Sequence, residues 1–431
     1  MAASEDEQSS PEAASDRGSA SGVDRRLRVV RVLTRANLGG PARQMVELWH
    51  AHRALGVDTL LVTGQVDADE VAVDFARFDI PRSDGARAGH VVLPTLRRGP
   101  APWSDRRAGA SLRDLIRRFA PDVVHTHTSK AGVVGRRAAR AMRVPVVAHT
   151  FHGHVLRDYF GAVASRLLGQ LERRWARRSQ LLFAVSGSCA DELAELGVAA
   201  RDRLLVVPPA VRRQPEFAER AAARQELGIP EHQWRVAAIG RLVPIKRLAD
   251  FVAAAAAKSG VARAAGEGGG LVGEMHGDIW GHGPLQQELA HLSERVCSGR
   301  VQLRGPRADI AQLLRAYDAV VLPSHREGLP LVAVESFAAG VPVVGYDVPG
   351  TRDALADLGR GLLVPEADGP AGLRAALTKL RRSSALVDEL TASSRSAVDR
   401  CAPSAVAKAL LANYRRALAA CGTAAARDAL P

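Results

Sequence analysis

Two glutamates eight residues apart, Glu327 and Glu335, stand within the run REGLPLVAVESFAAGVPVV at residues 326–344. The apolar segment Ala319–Leu322 before them reads as a strand, and Pro330 suits a first helical position, where its missing N–H has no intrahelical partner. Glu327 is then expected in the strand-to-helix loop and Glu335 two turns into the helix. Eight residues of helical rise separate the carboxylates by at most about 12 Å. That spacing is comparable with the ribose-to-sugar span of a nucleotide sugar, so one carboxylate can hold sugar hydroxyls and the other a ribose diol. Gly328 lets a ligand approach the backbone, and the N–H groups of Gly328 and Leu329 are free at a helix N-terminus. Ordinary surface glutamates could share this spacing, but Glu335 lies in an apolar run, where an unpaired charge is costly.

Cations and glycines follow other strands. IGRLVPIKRL (239–248) continues the apolar run Arg235–Ile239. From a strand-end loop, Arg241 and Lys246 can reach a diphosphate and neutralise the charge that develops as it leaves. A solvated Arg/Lys pair is the plain alternative. NLGGPARQ (37–44) sets Gly39 and Gly40 between the first strand and a helix, where backbone N–H groups can meet a phosphate. A simple strand–helix turn would use the same glycines.

HTHTSKAG (125–132) and HTFHGH (149–154) bring five histidines, His125, His127, His149, His152 and His154, to the ends of two adjacent strands. They admit three readings: a metal site of a hydrolase, satisfied structural histidines, or imidazoles facing sugar hydroxyls and the reacting centre, His152 foremost. Histidine metal sites commonly add a carboxylate, and no Asp or Glu lies between Asp122 and Asp158. Weaker patterns fail on context. GGGLVG (268–273) precedes a strand instead of following one, and Asp67-Ala68-Asp69 sits in an acidic, surface-like stretch. There is no G-x-S-x-G elbow and no P-loop. Cys189, Cys297, Cys401 and Cys421 form no C-x-x-C pair, which supports neither a disulfide framework nor a cysteine metal site.

These loops need strands to present them. Apolar runs at Leu27–Leu33, Thr59–Thr63, Val91–Leu93, Val123–Thr126, Val144–Ala148, Leu181–Val185 and Leu204–Val207 read as buried strands, with helical patterns at Pro41–Leu55, Ser111–Phe119 and Ala162–Arg177. A second series reads Arg235–Ile239, Leu271–Met275, Val301–Leu303, Ala319–Leu322 and Val341–Gly345, and Pro403–Ala420 closes as a long amphipathic helix. Near-continuous strands alternating with helices predict parallel sheets covered on both faces. The expectation is therefore α/β, two Rossmann-like doubly wound domains facing across a cleft. The divisions expected are an acidic disordered tail over 1–23, a first domain over 24–206, a Pro-rich linker over 207–216, a second domain over 217–400, and a C-terminal helix and tail over 401–431.

The chain's 431 residues suit two domains, and 47% apolar with 24% charged residues excludes a disordered, collagen-like or coiled-coil chain. No apolar run reaches membrane-spanning length. The acidic N-terminal segment resembles neither a signal nor a transit peptide, so a cytoplasmic address is expected. The net charge of +13 is concentrated in residues 24–203, with 30 basic and 18 acidic residues. Because 54 of the 59 basic residues are Arg, the skew reads as codon bias as much as ligand preference. Aromatics at 4% leave few stacking platforms for nucleic acid.

In combination and in this order, E-x7-E, GRL-xxx-K, the Gly-Gly loop, H-x-H-T-S-K-A-G and HTFHGH resemble the retaining glycosyltransferases of family 4, with the GT-B fold, from Arg28 to about Ala420. The resemblance implies transfer of a hexose-type sugar from a nucleoside diphosphate, UDP more than GDP, to an acceptor hydroxyl without metal or other cofactor. It places Glu327 with Gly328, Leu329 and Pro330 on the donor sugar, Glu335 on the ribose, and Arg241 and Lys246 on the diphosphate. Gly39 and Gly40 meet the phosphate from the opposite domain, His152 contacts the sugar beside the anomeric carbon, and Gly305 to Arg307 match the base-binding loop. The acceptor is a small metabolite, a saccharide or a lipid-linked glycan, the last with peripheral contact at the inner membrane face. Basic helices at Leu171–Ser179 and Gly135–Arg143 would suit such contact or simply be solvated. The rival readings are a metal-dependent hydrolase on the histidine cluster and a catalytically silent nucleotide-sugar-binding protein. The sequence departs from the family pattern at Ala210, at His282 within Gly281–Pro284, and at Ser324-His325-Arg326.

Overall fold

Short runs rich in valine and leucine, each followed by a helix, bury both faces of a strand and so favour parallel pairing. A computed structural model of the protein describes residues 25–67, 70–99, 101–153, 161–211, 217–256 and 274–428. The tail over 1–23, Asp69, His154, residues 212–216 of the expected linker, and the glycine-rich stretches 261–270 and 268–273 lie outside the described residues.

The first sheet holds β1 (Arg28–Leu33), β2 (Asp58–Gly64), β3 (Gly89–Leu93), β4 (Val123–His127), β5 (Val146–Phe151), β6 (Leu181–Ala184) and β7 (Leu204–Val206), in the order β3-β2-β1-β4-β5-β6-β7. The second holds β8 (Arg235–Ile239), β9 (His276–Trp280), β10 (Val301–Gly305), β11 (Ala319–Leu322), β12 (Val343–Tyr346) and β13 (Leu362–Val364), in the order β10-β9-β8-β11-β12-β13. Every pairing is parallel. Strand order reverses between β1 and β4 and again between β8 and β11. Crevices open beyond the strand ends at such reversals; the loops carrying Gly39–Gly40, Lys246 and Glu327 leave from them, and His152 follows β5, one strand further on.

Helices cover both faces of each sheet. Val30, Val32, Leu60 and Val124 pack under one face of the first sheet, and Val29, Leu48, Val146 and Phe183 under the other. The helix Pro403–Asp428 runs past its expected end at Ala420 and returns to the first sheet, where Val406, Ala407, Leu410, Leu411 and Tyr414 complete the second of these cores. Among the described residues, no helix is long and apolar enough to cross a membrane.

Several elements differ from the sequence reading. The strand expected at Leu271–Met275 lies five residues later, at His276–Trp280. Its centre is the fully buried Asp278, held by Arg235 at 2.6 and 3.0 Å, Arg304 at 2.9 Å and the Tyr317 hydroxyl at 2.8 Å. A charge neutralised by partners distant in sequence hides a strand from any apolar pattern. The three-residue β13 offered no periodicity to read. The helix expected from Ser111 starts at Pro102, because its first turns are largely solvated. Pro330 caps the helix Leu331–Ala339 instead of opening it, so Glu335 stands little more than one turn in.

Candidate active site

A cleft of about 1640 Å³ runs between the two sheets. It gathers Gly39, Gly40, Arg43, His152, Arg241, Lys246, Arg307, the stretch Glu327–Leu331 and Glu335 on its walls. Each arrives from a loop or the start of a helix beyond a strand end.

On the second-domain wall, the Lys246 ammonium bonds Glu327 Oε1, and the Ser324 hydroxyl donates to the same oxygen at 2.6 Å. Lys246 comes from a tight turn after β8 and Glu327 from the loop after β11, so the sheet's reversal brings them together. Arg241 is exposed along the same wall. Gly328 is required by packing: a Cβ there would stand 2.3 Å from the His152 carbonyl oxygen. The glycine lets the loop after β11 lie directly against the first domain. Gly40 does the same from the other side, its would-be Cβ 2.9 Å from Leu331 Cδ1.

Glu335 is only 7% exposed and pairs with Arg43 of the opposite domain at 2.9 Å. Arg307, beyond Gly305, is held by Asp309 at 2.7 Å and by Glu226, and these partners raise its pKa further. The two histidines that depart from the family pattern separate: His282 lines the cleft, whereas His325 Nδ1 meets Glu366 at 2.6 Å.

Beneath the first-domain wall, β4 and β5 hold the buried His125, His127 and His149, with His152 just past the end of β5; of these, His149 and His152 line the cleft. His127 Nδ1 lies 3.0 Å from His152 Nε2, and His125 Nε2 lies 2.7 Å from the Thr150 hydroxyl. His149 Nδ1 lies 2.8 Å from the Thr126 hydroxyl. Desolvation first, and then the charge of Arg31, lower the His152 pKa to about 4, so the ring is neutral at physiological pH. Hydrogen bonds to hydroxyls, to another ring and to Arg31 occupy these rings. Among the described residues, no group of three His, Cys, Asp or Glu side chains converges as metal ligands would. The hydrolase reading finds no support in this arrangement.

Sequence reasoning passed over four contributors. Arg43 and Arg31 resemble any other arginine in an arginine-rich chain. Ser324 adds a hydroxyl to Glu327. Thr128 follows β4 with φ 63° and ψ 158°, a conformation costly for a β-branched residue and typical of functional sites. Its hydroxyl lies 2.6 Å from that of Thr34. Only the unusual run of small and polar residues after His127 hinted at it.

The model of Glycosyltransferase Family 4 matches residues 38–214, and that of Glycosyl transferases group 1 matches residues 233–383. A D-inositol 3-phosphate glycosyltransferase of Frankia alni is 34% identical over 69% of this chain and 74% of its own. The UDP-Gal:alpha-D-GlcNAc-diphosphoundecaprenol alpha-1,3-galactosyltransferase of Escherichia coli is 28% identical over 68% of this chain and 74% of its own. In fold, the chain resembles a sucrose-phosphate synthase of Thermosynechococcus elongatus, with TM-score 0.74 and 19% identity over 92% of this chain and 100% of that one. It also resembles Anabaena HepE in complex with UDP-glucose, with TM-score 0.69 and 17% identity over 90% and 100%. With Lys246, Glu327 and Glu335 on one wall and the glycine loop facing them, the chain belongs to family 4 of the group 1 glycosyltransferases, enzymes of GT-B fold that use nucleotide-sugar donors.

Proposed function

We propose that the protein moves a hexose-type sugar from a UDP-sugar to an acceptor hydroxyl, with retention at the anomeric carbon and without a metal. The observation that carries this reading is the Lys246–Glu327–Ser324 cluster, one helical turn from Glu335 and facing His152 and Gly39–Gly40 across the cleft. Glu327 with the backbone of Gly328, Leu329 and Pro330 takes the sugar hydroxyls. Glu335 takes the ribose diol, and Gly305 with Arg307 flanks the base. Arg241 and Lys246 supply the positive charge that a leaving diphosphate requires, with Gly40 donating from the opposite wall. The bond from the anomeric carbon to the diphosphate oxygen breaks as the acceptor oxygen bonds the same face. The acceptor proton passes to the departing phosphate oxygen. His152, held neutral, lies beside the sugar and adds no positive charge to an oxocarbenium-like centre.

The acceptor side of the cleft is lined by Arg98, Arg106, Arg113 and Arg137, beside Leu167, Leu168 and Leu171 of the helix Ala162–Ala176. Four guanidinium groups favour a phosphate-bearing acceptor, since their charge raises the local concentration of anions. Exposed Trp103, Val163 and Leu167 next to them suit the lipid-linked form of that acceptor and peripheral contact at the inner membrane face.

Calorimetric titration of UDP and GDP into chelator-treated protein tests the donor site. UDP is expected to bind the wild type. Lys246→Ala and Glu335→Ala are each expected to lose about 10- to 100-fold in affinity, the equivalent of one charge-assisted hydrogen bond. Both should remain folded. Equal UDP affinity in all three proteins would overturn the assignment.

A further inference from the structure

Arg31 lies on the central strand β1 beneath the cleft floor and is 1% exposed. Among the described residues, no carboxylate contacts it. Its Nη atoms instead face His52 Nδ1 at 3.4 Å, His125 Nδ1 at 3.4 Å, His127 Nε2 at 3.3 Å and the Tyr414 hydroxyl at 3.1 Å, and its Nε has no partner. A buried cation without a counter-charge is expensive, so ring nitrogens and a phenol are a poor exchange for a carboxylate if stability alone is at stake.

Hydrogen-bond direction follows from the guanidinium, which can only donate. Each ring nitrogen turned toward Arg31 is therefore an acceptor and carries no proton. Neutral His127, accepting at Nε2, must hold its proton on Nδ1, which faces His152 Nε2 at 3.0 Å. His152 Nε2 is thereby an acceptor too, and the single proton of neutral His152 sits on Nδ1. A parallel branch agrees: Tyr414 accepts from Arg31 and donates to His125 Nδ1 at 2.5 Å, which leaves His125 Nε2–H to donate to Thr150 at 2.7 Å.

We propose that Arg31 is a positioning residue for the transfer reaction: acting through His127, it fixes His152 as a neutral Nδ1–H hydrogen-bond donor instead of a base. The inference rests on the reading of His152 as a sugar contact. The groups facing this relay are Arg31 from β1, His52 from the helix Gly40–Ala54, His125 and His127 from β4, His149 from β5, and Tyr414 from the C-terminal helix, with Arg136 and Glu172 beyond His149. All of the facing charges except Glu172 are positive, and Glu172 is already paired with Arg136. Protonation of His152 would add another cation beside Arg31, next to a sugar carbon that itself gains positive charge.

The test is nitrogen-15 spectroscopy of full-length protein labelled at histidine, with His127→Gln and His152→Gln used for assignment. Wild-type His127 and His152 are expected to show the Nδ1–H pattern from pH 6 to 8. Arg31→Lys, which keeps a charged donor, should preserve it. Arg31→Met should let Nε2–H forms appear and raise the His152 titration midpoint by about one pH unit or more. An Nε2–H His152 in the wild type, or unchanged tautomers and titration in Arg31→Met, would overturn the proposal. If Arg31→Met does not fold, the wild-type spectrum alone decides. Calorimetry with UDP runs alongside: loss of UDP binding with the Nδ1–H pattern intact would sink the donor-site reading and leave the relay standing.

Discussion

At the scale of single residues, the first domain holds an unusual store of neutral imidazole. His90 and His152 have their pKa values lowered to about 4, and His52, His125, His127 and His149 are held well below the ordinary value. Desolvation is the main cause, followed by nearby positive groups such as Arg31, Arg82 and Arg136. An unfolded chain binds a proton at each of these rings near pH 6.5, while the folded chain binds none until the pH is much lower. Stability must therefore fall as pH drops below 6.5, by about 1.4 kcal/mol per unit for each ring. Six rings together approach about 8 kcal/mol per unit, comparable with the whole stability of an ordinary domain. Thermal melts should be flat from pH 7 to 8.5 and fall steeply below pH 6, with acid unfolding complete above pH 4. A melting temperature unchanged between pH 7 and 5 would contradict the burial of these rings. The sequence made Glu327, Glu335, Arg241, Lys246 and His152 visible because each sits at short range from a strand end. Arg31 was invisible because what distinguishes it is long-range: its bond to Tyr414 spans 383 positions.

Elements were legible to the degree that they were apolar. β8 and β11 have the bounds their valine and alanine runs predict, whereas β9, with Asp278 at its centre, was displaced by five residues. The C-terminal helix was read as amphipathic, but periodicity reports that a face is buried and not against what. That face meets the first sheet, through Leu410, Leu411 and Tyr414, although the preceding elements belong to the second. The return explains why a residue near position 414 can partner Arg31 and His125 on the floor of the first domain. It also makes a mutation in the last helix a first-domain mutation. Leu410 is 3% exposed, and Leu410→Ala should destabilise by about 2–5 kcal/mol, the usual range for a leucine truncated in a packed core. Hydrogen exchange would locate the effect. Faster exchange in β4 and β5, with β11 and β12 unaffected, is expected; faster exchange confined to the second sheet would show that the helix stabilises the wrong domain for this account.

For the whole molecule, what matters is how the two sheets are held around the cleft. The Ser186 hydroxyl donates to the Gly328 carbonyl at 2.7 Å, Ser188 N–H donates to Asp353 at 2.9 Å, and Arg326 meets Glu192 at 3.3 Å. Although Arg326 and Gly328 line the cleft, these contacts leave the carboxylates proposed to hold the donor free. The Arg43–Glu335 pair does not, because Glu335 is the carboxylate proposed to hold the ribose. Buried as it is, Glu335 needs a partner, and without nucleotide that partner is Arg43 from the other domain. A ribose diol entering the site would take over part of that role, so the pair and the nucleotide compete. Arg43→Met should accordingly lower the melting temperature of the unliganded protein while enlarging the upward shift produced by saturating UDP. The arithmetic is that of linkage: a ligand at about one hundred times its dissociation constant adds about 2.7 kcal/mol to any protein. A variant whose free state has lost a partner for Glu335 binds UDP more tightly and gains more at the same concentration. An equal UDP-induced shift in both proteins would mean that Arg43 and the ribose do not share Glu335. A smaller shift in the variant would instead make Arg43 a contact of the bound nucleotide, with closure of the two domains and donor binding then drawing on the same ion pair.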